Sequence, residues 1–141
     1  MINQLHEAKN LMDDEQYIPA ITILQNLNGL SPKSENYRLL FMSNCWYKLG
    51  EYQWTIDIAG YVLQRDKHNE LASQLKYLSY CEMKDFNNAL KEMIRFLSCN
   101  EADLYKVTLE ELLTDIKDGF INEEDIVSKI KELAFKNNCL K

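Results

Sequence analysis

The chain has almost nothing that interrupts a helix. Of its 141 residues, two are proline and four are glycine, the composition of a chain that is nearly all helix. No apolar run approaches 18 residues, which excludes a membrane-spanning helix. The opening Met-Ile-Asn-Gln-Leu-His-Glu has neither a basic start nor an apolar core, so it is not a secretory signal and a cytoplasmic location is expected. Positive charge is also short. The net charge of −6 argues against nonspecific nucleic-acid binding, which needs a basic surface to neutralise phosphates.

The residues that carry chemistry are equally sparse. His6 and His68 have no Glu or Cys at metal-ligand spacing and no Cys–His couple. There is no glycine-rich phosphate loop. The run Asn122-Glu123-Glu124-Asp125 reads as a helix start, not as a paired acid and base. No catalytic residue, metal or cofactor is therefore expected, and the chain does not read as an enzyme. Cys45, Cys81, Cys99 and Cys139 contain no C-x-x-C, and without a secretory context they read as small buried hydrophobes in a reducing compartment.

What is present is a pattern that returns every 34 or 35 residues. Tyr17, Tyr52 and Phe86 are each followed by Ala20, Thr55 and Ala89, then by Ile21, Ile56 and Leu90, and then by Leu24, Ala59 and Met93. A helical repeat of this length means stacked helix pairs, each burying its apolar face only against its neighbours. Period and punctuation place the first pair at about 2–13 and 17–28, the second at 34–48 and 51–65, and the third at 69–83 and 86–98. Pro19 falls in a first turn, where its missing N–H costs nothing. In the third pair Lys76 stands where an apolar residue is expected and Tyr77 where a small one is, which allows a one-residue slip.

After Asn100 the repeat fades but helical spacing continues. Leu104, Val107, Leu109, Leu112, Leu113 and Ile116 suit a helix stopped at Asp118-Gly119, with glycine in the left-handed slot. Asn122 is the expected cap of a last helix, bracketed by Ile121 and Ile126 as a hydrophobic staple. Residues 103–141 thus read as a helix pair capping the stack formed by 1–102.

The pattern resembles the tetratricopeptide repeat. Leu39, Met42, Ser43 and Trp46 match its first-helix signature; Tyr17, Ala20, Leu24 and Leu27, closed by Pro32, match its second-helix signature. Tyr52, Thr55, Ala59 and Val62 repeat that second part, as do Phe86, Ala89, Met93 and Phe96. The repeats are diverged, since Gln4 and Ser73 stand where a large apolar residue is usual, and Lys67 and Glu101 replace the closing proline. The resemblance implies an all-α, right-handed superhelical stack of antiparallel pairs whose function is protein binding.

In such a stack first helices line a concave groove. The phase assigns to it Leu5, Lys9, Met12, Tyr37, Leu40, Asn44, Tyr47, Lys48, Gln74, Leu78 and Cys81. The expected occupant is a helix or extended peptide of another protein, with aromatic anchors filling pockets. The alternative is that the C-terminal helices pack into this groove. A clamp for acidic C-terminal tails is not expected, because Leu5, Phe41 and Leu71 occupy positions of its polar ring and Lys9, Asn44 and Lys48 do not complete it. Trp54, Ile58 and Tyr61 recur on a second face of their helix, beside Gly60, and mark a possible partner or homo-oligomer surface on the convex side. The function expected is that of an adaptor or assembly subunit. The alternative is a dedicated cytosolic chaperone, since the chain looks similar in size, repeat number and acidity to type III secretion translocator chaperones.

Overall fold

A computed structural model describes residues 2–139. These form eight α-helices and no strand among the described residues. The helices are α1 (Ile2–Asp13), α2 (Tyr17–Asn26), α3 (Pro32–Lys48), α4 (Tyr52–Arg65), α5 (Glu70–Glu82), α6 (Phe86–Leu97), α7 (Tyr105–Lys117) and α8 (Glu124–Lys136). From α1 to α6 each helix packs on the next, and α7 packs on α8. Alternate helices also touch, α1 on α3 and α3 on α5.

The helix boundaries follow capping chemistry. Ser31 accepts a hydrogen bond from the Ser34 N–H, and Pro32 takes the first helical position, so α3 begins two residues earlier than its apolar spacing indicates. Asn69 caps α5 and Asp85 caps α6 in the same way. Asn122 does not cap α8. The residue before that helix is Glu123, and its side chain makes no capping bond. Acidic Glu124 and Asp125 in the first turn favour the helix dipole instead.

The turns carry the repeat more faithfully than the helices do. Glu15, Gly50 and Lys84 each adopt a left-handed conformation, with φ of 61°, 81° and 60°. In each case the next N–H reaches back to close the preceding helix. Gln16 donates to the Leu11 carbonyl at 2.7 Å, Glu51 to Trp46 at 2.9 Å and Asp85 to Tyr80 at 2.8 Å. This is the Schellman closure, in which a left-handed residue satisfies carbonyls otherwise orphaned at a helix end. Gly119, at φ 82°, ends α7 likewise, with the Phe120 N–H donating to the Asp115 carbonyl at 2.9 Å. Only two of these four positions are glycine, so the motif is invisible to a search for glycine alone.

The buried side chains fall into separate clusters strung along the chain. Leu5, Ala8, Leu24 and Leu27 join α1 and α2 with Phe41 and Met42 of α3. Ala20, Ile21 and Cys45 form a second cluster with Tyr17 and Trp46. Leu40, Ala59, Val62 and Ala72 tie α3, α4 and α5. The largest cluster unites α5 to α8 around Tyr77, Met93, Phe96, Tyr105, Leu109, Ile130 and Leu133.

A polar network anchors that last cluster. Ser73 has no exposed surface, and its hydroxyl lies 2.7 Å from Glu92 Oε2 and 2.8 Å from the Tyr105 hydroxyl. Glu92 is also buried; it receives Arg95 at 2.6 Å and Lys76 at 3.7 Å. The departures of Ser73 and Lys76 from the repeat pattern therefore have a physical reason. A serine leaves room for the Tyr105 ring and bonds its hydroxyl, and the lysine balances a buried carboxylate. Tyr77 fills the space a small residue would leave and meets Tyr105 edge-on, with ring centroids 5.8 Å apart.

Candidate functional site

Among the described residues, the two larger of the open clefts are largely apolar. The first, of about 500 Å³, lies between α1 and α3. Leu5, Tyr37 and Phe41 make its apolar surface, and His6, Lys9, Lys33 and Ser34 its polar border. These residues meet because Leu5 and Lys9 are one turn apart on α1, while Lys33, Tyr37 and Phe41 are successive turns of α3. Tyr37 keeps 46% of its surface exposed and lies 6.1 Å, centroid to centroid, from the Phe41 ring. Among the described residues no carboxylate borders this cleft, although acidic residues outnumber basic ones by 22 to 16 in the whole chain. Lys9 pairs with Asp13 at 3.3 Å, but both side chains are more than half exposed, so the pair is readily exchanged for another anion.

The second cleft, of about 490 Å³, opens between the third helix pair and the turn joining α7 to α8. Tyr77, Phe86, Leu90, Leu112 and Phe120 supply apolar surface, and Asp115 and Glu123 are its charged residues.

The groove residues expected from the repeat phase divide between these surroundings. Leu5, Lys9 and Tyr37 do line the first cleft. Met12 is partly buried against Ala20, Ile21 and Cys45. Leu40 is not on an open wall: it is buried among Ala59, Val62 and Ala72, facing α4 and α5. Asn44 is half-buried, Lys48 is exposed, and Tyr47 is half-buried with its ring 5.7 Å from Tyr52. Burial and the nearby Glu82 carboxylate push the Tyr47 hydroxyl pKa up, favouring its neutral, hydrogen-bonding form.

At the third pair the wall is covered. Gln74 donates to Thr108 Oγ1 of α7 at 3.2 Å, and Leu78 and Cys81 are partly buried against the cluster that unites α5 to α8. At this pair α7 therefore lies over Gln74, while Cys81 still borders the second cleft. Sequence reasoning missed His6, Lys33 and Ser34 as cleft residues. The Ser31-Pro32 pair was the available signal, because a helix starting at Pro32 carries Lys33 and Ser34 onto the same face as Tyr37.

The proposed convex surface is smaller than expected. Trp54 and Tyr61 are 57% and 61% exposed, but Ile58 is buried. Trp54 stacks on Trp46 of α3, with centroids 6.1 Å apart. A methyl group added at Gly60 would meet no atom within 4 Å, so no close approach within this chain requires glycine there. We predict that Gly60→Ala raises stability by about 1 kcal/mol, the helix-propensity difference, seen as a higher melting temperature by circular dichroism.

All four cysteines are free. Cys45 fits the expected small buried hydrophobe, and burial pushes its thiol pKa up to about 11. Cys99 does not: it is exposed, because it lies past the end of α6. Among the described residues no cluster of His, Cys, Asp or Glu side chains could hold a metal ion, and no helix is long and apolar enough to cross a membrane.

Comparison with protein-family models, with curated proteins and with solved structures yields no match. The likeness to tetratricopeptide repeats rests on this chain's own residues.

Proposed function

We propose that this chain is a protein-interaction module of the tetratricopeptide type, a right-handed stack of three helix pairs capped by α7 and α8, which serves as an adaptor or assembly subunit. Three features support the stacked architecture: the like turns at Glu15, Gly50 and Lys84, the contacts between alternate helices, and a core divided into successive clusters.

The observation that carries the functional reading is the cleft between α1 and α3. It is apolar, open, and holds a half-exposed tyrosine beside a phenylalanine. A partner helix or extended segment seats apolar side chains there, and the bordering lysines hold its charged groups. The usable wall spans the first two pairs, since α7 covers the third.

Affinity capture from native extract tests this reading. Tyr37→Asp should lose the specifically bound chains at least tenfold, because it puts a carboxylate at an aromatic anchor. Trp54→Asp should retain them. Retention of every specific partner by the folded Tyr37→Asp protein would refute groove binding.

A further inference from the structure

The cleft between α1 and α3 has a matching ligand on the chain itself. The turn joining α7 to α8 carries Asp118 and Glu123, and the first turn of α8 adds Glu124 and Asp125, all exposed. At its apex Phe120 is 79% exposed, more than any other large hydrophobic residue described. The ring borders the second cleft but leaves most of its surface open to a partner. The turn is also rigidly held. The Phe120 and Ile121 N–H groups both donate to the Asp115 carbonyl, at 2.9 and 3.2 Å, and Ile121 packs into the core behind them. An aromatic ring presented on a fixed turn loses little conformational freedom on binding.

The cleft supplies what this turn lacks. It offers Tyr37, Phe41 and Leu5 for the ring, and Lys9, Lys33 and His6 for the carboxylates, with no acidic side chain among its described lining residues. The turn cannot reach the cleft of its own chain. The cleft belongs to α1 and α3, at the start of the succession of packed helices, and the turn lies against α5, α6 and α7 at its end.

We propose that a second copy of this chain is the occupant, with Phe120 of one molecule seated in the α1–α3 cleft of the next. The contact is head-to-tail, so it leaves one cleft and one turn free and adds further copies. It rests on the reading of the cleft as a recognition site and identifies one ligand for it. The contact is small and partly electrostatic, so assembly is weak and salt-sensitive.

Sedimentation equilibrium tests the proposal. For the wild-type chain the average mass should rise above 16.6 kDa as concentration goes from roughly 10 μM to 1 mM. It should return to the monomer value at about 1 M salt, where the screening length is near 3 Å. Phe120→Ser and Lys33→Glu, both at exposed positions, should each remain monomeric at low salt. Mixed together they should form a dimer and nothing larger, because one retains the cleft and the other the turn. A wild-type chain that stays monomeric throughout overturns the proposal, as does assembly by either variant alone or the absence of a mixed dimer. The capture experiment separates the two readings: monomeric wild type with Tyr37-dependent capture refutes only self-association, and loss of both refutes the cleft.

Discussion

Tyr105→Ala destabilises the protein by about 3–5 kcal/mol, the range for removing a large buried aromatic side chain. Tyr105 has no exposed surface, and its ring meets Tyr77 and Phe96 at centroid distances of 5.8 and 5.6 Å. Its hydroxyl bonds Ser73, and burial shifts its pKa upward, so it stays protonated. Alanine removes both ring contacts and leaves a cavity where α5, α6 and α7 meet. Tyr105→Phe keeps the ring and loses only the hydroxyl. Ser73 still reaches Glu92, so that variant should cost about 1 kcal/mol. Urea titration gives both differences. Thiol labelling locates the damage, because Cys81 is half-buried against the α5–α8 cluster that contains Tyr105. In Tyr105→Ala it should react markedly faster, while exposed Cys99 reacts rapidly in every variant. Equal Cys81 rates in wild type and Tyr105→Ala would mean that the C-terminal pair is held by something else.

Leu24→Ala should cost about 2–5 kcal/mol, and its damage should appear at the other end. Leu24 is fully buried among Leu5, Ala8 and Leu27, and its carbonyl accepts Arg38 Nη1 at 3.1 Å. Arg38 is in turn held by Glu35, whose hydrogen bond with it keeps the carboxyl pKa low. The α1–α3 cleft rests on this cluster. Hydrogen exchange should therefore accelerate in α1 and α2 while amides of α7 and α8 keep most of their protection. Uniform acceleration through all eight helices would show that the clusters unfold as one cooperative unit.

The helices themselves were legible because their apolar spacing is repeated and their boundaries carry caps. Ser31, Asn69 and Asp85 occupy positions where side chains replace missing backbone partners. The open cleft between α1 and α3 was legible only in part. Leu5, Lys9 and Tyr37 line one cleft, but Leu40 faces inward, because α3 is packed on α4 and α5 as well as on the first pair. A helix buried on several sides does not disclose which apolar residue remains open. Gln74, Leu78 and Cys81 lie in other surroundings. Gln74 donates to Thr108, 34 positions later, and such long-range docking leaves no local periodicity. Ser73 was a clue to that docking, since a serine in a large-apolar slot requires a hydroxyl or carboxylate partner somewhere in the core.

The left-handed residues Glu15, Gly50 and Lys84 recur at intervals of 35 and 34 positions. A segment cut from one of them to the next begins and ends in the same backbone state. Duplicating such a segment in the gene would insert a whole hairpin with its joints already matched, lengthening the molecule while both ends keep their original neighbours.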